Sequence, residues 1–354
     1  MMRIILLFLM SFNVYADICE SIFSDTLYLS SDETTLENSR EFITKKLQDL
    51  KFDVSHQKFA DGINIIAKKS SAPKLILSAH YDRLTECTQR QDSITSRCSG
   101  ASDDSAGVAL VLSLAQKFKN EDIAIIIFDA EERGLLGSKY FVENPTFSLK
   151  KVKAIFNFDI IGLNLFDSLA DSTLSMGTET GGKLLKNQVM KAFTDVELWM
   201  HPFTYSLTQN RADIASFINA RLKIPIVHFT DGDGSVYHTS SDEVDFLNFP
   251  KITKMEKALS NLIPVALSSQ YRYKRPSFFS GYALPKKSDV KTAIELSMRA
   301  DDFDTASNLK KLEKGLFTPK KMMQFNQVAR NFIEKSRNQD FIPLGQQCHK
   351  RALK

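Results

Sequence analysis

His80 and Asp82 end one apolar run of the sequence, Glu131 and Glu132 end a second, and Asp159 ends a third. Asp103, paired with Asp104, lies in a loop ahead of a helical pattern, and His238 follows a fourth apolar run. Ionised carboxylates at the mouths of buried strands are costly unless something cationic meets them. Imidazole nitrogens and carboxylate oxygens together suit a divalent metal, zinc above all. Such a metal can activate water, and a carboxylate beside it can move the proton. Taken singly, each residue has a plainer reading. His80 reads as a satisfied core histidine, Glu131 and Glu132 as a helix N-terminus favoured by the dipole, and Asp103 as an N-cap. Asp159 reads as an exposed strand end and His238 as a loop residue.

The positioning elements follow from periodicity. "KLILSA", "IAIIIFDA", "VKAIFNFD" and "IPIVHFT" are short runs rich in branched residues, as expected of central strands covered on both faces. "FDVSHQKF" and "GINIIAKK" alternate and predict a hairpin at the sheet edge. Helical patterns such as "DSAGVALVLSLAQKF" and "GGKLLKNQVMKAF" lie between the strands. Ser30 and Glu33 form a capping-box pattern, predicting a helix with Leu36, Phe42, Ile43, Leu47 and Leu50 roughly on one face. Alternating strands and helices imply an α/β fold: a three-layer sandwich with a mixed, mostly parallel central sheet flanked by helices. Ligands of such sheets collect beyond the carboxyl ends of the strands, where the candidate residues fall.

The two ends of the chain differ from this body. Residues 1–16 have a basic start, a short apolar run and small residues before Asp17, the pattern of a signal peptide, so export to periplasm or medium is expected. No segment is expected to cross a membrane, the early apolar run being too short. Four cysteines in an exported chain suit two disulfides; three pairings are open. The catalytic body is expected over 17–271, a linker over 272–287, and a basic helical C-terminal extension over 288–354. Residues 272–354 hold 18 Lys/Arg and 8 Asp/Glu, whereas the whole chain carries only +4. Solvated helix faces packed on the main body explain that excess; contact with an anionic membrane surface or a partner is the sharper reading. No nucleic-acid partner is expected. With 43% hydrophobic and 25% charged residues, the chain is neither disordered nor fibrous.

Over about residues 60–265 the sequence resembles the M28 zinc aminopeptidases. "SAHYD", "GASDDSAG", "DAEERGLLGS", "NFDIIG" and "YHTSSD" match five family motifs in order. The resemblance implies two zinc ions per chain, with Asp103 bridging, His80 and Asp159 completing one site, and Glu132 and His238 the other. It also implies Glu131 as the general base for water activated between the metals. Asp82 would orient the His80 imidazole, and the Asp103–Asp104 peptide would be cis. Two departures concern "RADIASF" and its surroundings. Ile214 stands where the family usually has His, and the oxyanion-stabilising Tyr of some members aligns with Gln209, with Tyr205 nearby. His56, His201 and His349 match no motif and are read as structural, and His228 as a core strand residue.

The leading reading is therefore an exported zinc aminopeptidase acting on peptides. A glutaminyl cyclase with one zinc shares the fold, and "NFDIIG" resembles its version of that motif. Carboxypeptidase-type specificity is a further alternative, because a dizinc core does not select which peptide end is read. A non-catalytic binding module is disfavoured because all five ligands and the base are present. The walls of the substrate pocket are expected to come from loops, with the Cys87–Cys98 stretch at the rim.

Overall fold

Four apolar runs of the sequence lie side by side at the centre of an eight-stranded sheet. The computed structural model describes residues 17–87, 98–208 and 210–339; the expected signal peptide and residues 340–354 lie outside them. The sheet order is β1(Asp53–Phe59), β2(Gly62–Lys68), β4(Ile123–Phe128), β3(Leu75–His80), β5(Ala154–Phe158), β8(Ile226–Thr230), β6(Ser172–Met176), β7(Trp199–Phe203). β4, β3, β5 and β8 run parallel, β1 and β2 form the antiparallel edge hairpin, and β6 opposes β8.

The continuous apolar character of the central strands follows from coverage on both faces. Ile123, Ile125 and Ile127 of β4 point into one core cluster, and Ala124, Ile126 and Phe128 into another. The first cluster packs under α2(Leu36–Asp49), α3(Ala106–Lys117), α5(Gly182–Thr194) and α7(Phe249–Ser268). The second packs under α4(Leu136–Glu143) and α6(Ile214–Asn219). Helix–sheet–helix is the three-layer arrangement expected. β6 and β7 escape the sequence patterns, because "STLSM" is polar and "WMHPF" carries a proline that only an edge strand tolerates.

One expectation about capping fails. Ser30 lies in a preceding helix over residues 17–30 (α1), and its hydroxyl donates to the Thr26 carbonyl at 2.8 Å. A hydroxyl inside a helix turns back to the carbonyl four residues earlier, so it cannot cap the next one. Thr35, in extended backbone, caps α2 by accepting from the Asn38 amide at 3.1 Å. Ile43 and Leu47 are buried as predicted, whereas Leu36, in the first turn, stays 40% exposed.

The chain then returns across β6 and β7. Residues 272–287 include a two-strand hairpin, β9(Phe278–Phe279) and β10(Tyr282–Ala283). Three helices follow: α8(Lys287–Arg299), α9(Phe303–Glu313) and α10(Pro319–Arg337). Asp289 anchors α8, accepting from the Thr204 amide at 2.8 Å and the Thr204 hydroxyl at 2.7 Å. Leu296 of α8 and Phe332 of α10 share an apolar cluster with Leu165, Leu174 and Phe203 of the sheet side. Among the described residues no helix is long and apolar enough to cross a membrane.

Candidate metal centre

His80 is the last residue of β3, Asp159 follows the last residue of β5, and Glu131 and Glu132 lie just past β4. Parallel register of these three strands therefore delivers four of the groups to one edge of the sheet. Asp103 reaches it from the turn before α3, and His238 from the long connection after β8. Ala130, Ile160 and His238 all have positive φ, at 58° each. Ile160 is β-branched, so this is a costly conformation. All three mark sharp reversals beside the cluster, where strain of about 1–3 kcal/mol per residue is characteristic of functional sites.

The side chains converge in two trios that share Asp103. His80, Asp103 and Asp159 each offer a ligand atom within 4.8 Å of the others, as do Asp103, Glu132 and His238. His80 Nε2 lies 3.0 Å from Asp103 Oδ1 and 3.7 Å from Asp159 Oδ1. His238 Nε2 lies 3.1 Å from Asp103 Oδ2 and 3.3 Å from Glu132 Oε2. The two oxygens of Asp103 thus face different partners, as a carboxylate bridging two cations would.

The electrostatics show what the nest demands. Burial alone would lower the proton affinity of His238, yet hydrogen bonds to Asp103 and Glu132 lift its pKa to about 10. Burial opposes the charged form of His80 as well, and Asp103, Asp159 and Asp82 overcome it, raising its pKa well above the usual value. Burial pushes Asp103 upward, but the same two imidazoles hold it below the usual carboxylate range. Burial raises Glu131 and Glu132 above theirs. No Lys or Arg is paired with these carboxylates in the ion pairs among the described residues. The carboxylates instead draw protons onto both imidazoles; a nest of nitrogen and carboxylate donors that seeks positive charge in this way fits divalent metal, and zinc is matched by the donor set.

The supporting carboxylates act chiefly on backbone. Asp82 accepts from the Glu131 amide at 2.9 Å and the Glu132 amide at 3.1 Å, and its approach to His80 Nδ1 is looser at 3.5 Å. It therefore sets the turn that parts the two glutamates, a role the expected imidazole contact did not anticipate. Asp242 accepts from the Ser102 amide at 2.9 Å and the Asp103 amide at 3.2 Å. The Asp103–Asp104 peptide is cis, as expected. Asp104 Oδ2 accepts from the His80 amide at 3.2 Å, and a Cβ on Gly107 would sit 2.0 Å from its other oxygen. The last glycine of "GASDDSAG" is thus required by close approach. Asp129 turns away, accepting from the Ile63 amide at 2.8 Å and the Tyr81 hydroxyl at 2.9 Å.

A cavity of about 130 Å³ opens from the cluster, with Asp103, Glu131 and Asp159 at its polar end. Tyr237 and Arg211 line it, and sequence reasoning passed over both. The only available signal for Tyr237 was adjacency to His238, on whose ring it stacks at 3.7 Å between centroids. His228 is buried in β8 as expected, its Nδ1 donating to Asn157 Oδ1 at 2.7 Å, yet it also lines the cavity. Tyr205 is packed in the second core cluster, and Gln209 and His349 lie outside the described residues. Ile214 is fully buried in the same cluster. His201 is buried, and burial holds its pKa down at about 4; His56 contacts Thr44 at 2.9 Å, far from the site in role.

Cys87 and Cys98 are joined as a disulfide and line a small hollow with Glu132 and His238 on the other side of the cluster. Cys19 is also disulfide-bonded; Cys348 lies outside the described residues.

Residues 63–263 match the sequence model of peptidase family M28. A vacuolar membrane protease of Schizosaccharomyces pombe is 26% identical over 251 residues, covering 63% of this chain and 26% of that protein. Aminopeptidase YwaD of Bacillus subtilis is 26% identical over 203 residues, covering 54% of this chain and 42% of that protein. The chain thus spans less than half the length of either relative. Among solved structures, a glutaminyl cyclase from Porphyromonas gingivalis superposes with a TM-score of 0.59 at 18% identity, covering 70% of this chain and 98% of that one. A leucine aminopeptidase precursor from Bacteroides thetaiotaomicron gives 0.58 at 19% identity, covering 69% and 96%. At such identities the likeness speaks for the α/β fold.

Proposed function

The chain belongs to peptidase family M28, and on that premise we propose that it is a zinc-dependent exopeptidase that removes residues from the amino end of peptides. The observation that carries the reading is the pair of ligand trios sharing Asp103, with Glu131 beside them at the polar end of a cavity. His80, Asp103 and Asp159 would hold one zinc ion, and Asp103, Glu132 and His238 the second. When bound, the metals supply Lewis acidity toward a carbonyl and lower the pKa of water.

Glu131 is the general base of this reading. Its carboxylate is held by neither trio, it faces the cavity, and burial raises its proton affinity above that of an ordinary carboxylate. The proton it takes from water is delivered to the leaving amine. Asp82 keeps Glu131 and Glu132 pointing to different tasks through their amides, and Asp242 does the same for the turn bearing Asp103. Recognition of a free peptide carboxylate would need an available cation. Arg211 is the only Lys or Arg lining the cavity among the described residues, and Asp233 already engages it at 2.7 Å. That favours the amino end over the carboxyl end.

The chain is further assigned a catalytic body over 17–271, a connecting segment over 272–287 and a helical extension over 288–354. Export, with cleavage before Asp17, accords with the Cys87–Cys98 disulfide. The reading is tested on purified protein by metal analysis and by a panel of amino-acid amides, N-terminal glutaminyl peptides and C-terminal reporter peptides. Close to two zinc ions and release of N-terminal residues are expected. One zinc with cyclisation of N-terminal glutamine would establish the cyclase instead, and cleavage only at carboxyl ends would refute the aminopeptidase assignment.

A further inference from the structure

The cavity at the cluster is not completed by the part of the chain that matches the family. Residues 63–263 supply its polar end and one apolar wall, including Leu174, Met176 and Phe203. The opposite wall comes from the C-terminal extension: Leu296 of α8, and Phe325, Val328, Ala329 and Phe332 of α10. Thus the pocket wall is built from helices, where loops were expected.

We propose that the C-terminal helices, which lie outside the part of the chain that matches the family, form the selecting wall of the active-site pocket, so that the size of the substrate's terminal side chain is read by this extension. This rests on the exopeptidase reading for the cavity's polar end. The cavity runs from carboxylates at one end to an apolar lining at the other, so a residue bound with its amide at the cluster places its side chain among Leu296, Met176 and Phe332. A volume of about 130 Å³ suits one such side chain; a dry apolar cavity of about 150 Å³ holds a single benzene. A run of several peptide residues would not fit there.

The extension is also locked to the loop that carries His238. Arg337 at the end of α10 donates to Asp233 Oδ2 at 2.7 Å, and Ser336 Oγ donates to the Asp233 carbonyl at 3.3 Å. The Arg337 guanidinium lies 5.3 Å from the Tyr237 ring centroid. Arg211 meets the same Asp233 oxygen from the other side. Asp233 therefore ties wall and ligand loop together, and the wall is held at a fixed distance from the metal cluster.

The test is Ala329→Phe, which fills the cavity from the extension side, read as the ratio of kcat/KM on leucine and alanine p-nitroanilides. Each methylene in an apolar pocket discriminates by about 10–200-fold. The wild-type chain should prefer leucine by at least about 30-fold, and the variant should lose most of that ratio with its zinc content unchanged. Val328→Ala, which enlarges the cavity, should shift preference toward 2-naphthylalanine. Calorimetric binding of L-leucinol against L-alaninol gives a readout without turnover: leucinol should bind at least about tenfold tighter, and Ala329→Phe should erase the difference. Equal losses on both amides, unchanged ratios in both variants, or leucinol no tighter than alaninol would overturn the proposal. If the wild-type chain cleaves no amide, the exopeptidase reading fails, and the alcohol pair alone decides whether the pocket selects apolar side chains.

Discussion

The two walls of the cavity are made by different means. One is polar and sits at the ends of β3, β4 and β5, where parallel register lines up residues distant in sequence. The other is apolar and comes from α8 and α10, outside the region that matches the family. The polar wall is buttressed by carboxylates that grip backbone amides, and the helical wall by apolar packing and the Asp233 clasp. The difference teaches where change is tolerated. A group that must meet a metal to within a few tenths of an ångström needs a rigid strand end. A wall that selects by size can be carried by an appended element and altered without disturbing the chemistry.

Experiments on the polar wall should have the largest effects. Chelation should abolish hydrolysis altogether, with recovery on adding zinc; activity surviving metal removal, checked by metal analysis, would sink the metallopeptidase reading. Glu131→Gln should lower kcat by about 10²–10⁴-fold while metal content stays at the wild-type level. A loss of metal in that variant would instead make Glu131 a ligand. Asp82→Asn keeps the shape of the side chain but weakens its hold on the Glu131 and Glu132 amides. It should reduce metal affinity by about 10–100-fold, measured by competition with a chromogenic chelator.

Changes at the helical wall should be smaller and of another kind. Arg337→Ala removes one of two guanidinium groups from Asp233. It should raise KM several-fold and leave bound zinc unchanged. A full loss of zinc would show that the two walls are not separable.

The smallest effect is a pH dependence of stability near the seam between the walls. Glu179 accepts from the Tyr205 amide at 2.9 Å, and burial raises its pKa from 4.5 to about 7. A carboxyl group with a raised folded-state pKa favours the protonated form. Its influence is therefore absent below pH 4.5, lowers stability as pH rises toward 7, and is constant above that. Glu179 Oε2 is buried without a hydrogen-bond partner, so solvent screens it little and the rise from 4.5 to about 7 corresponds to roughly 3 kcal/mol. Glu179→Gln should gain that stability at pH 8 and little at pH 4 in thermal melts; equal shifts at both would contradict it.

The four central strands were legible because residues covered on both faces must be apolar throughout, and that leaves a continuous run. The candidate residues were legible for a related reason: charged groups directly beyond such runs stand out, and the motifs preserve their order. β6 and β7 were not: β7 lies at the sheet edge, which admits proline, and β6, one strand in, buries serine and threonine, Thr173 donating its hydroxyl to the Thr230 carbonyl. Ser30 misled because a hydroxyl that caps and one that turns back inside a helix have the same local pattern, and only the path of the preceding chain separates them.

Residue types and their order along the chain thus determined the α/β class, the set of groups at the strand ends and their demand for cations. Packing at long range decided the rest: that Asp82 and Asp242 hold backbone, that Tyr237 and His228 line the cavity, and that α8 and α10 form its far wall. A strand end advertises itself through its own neighbours in sequence. A helix face gives no sign of whether it will meet solvent, core or cavity until the elements it packs against are in place, because all three meetings satisfy the same amphipathic pattern.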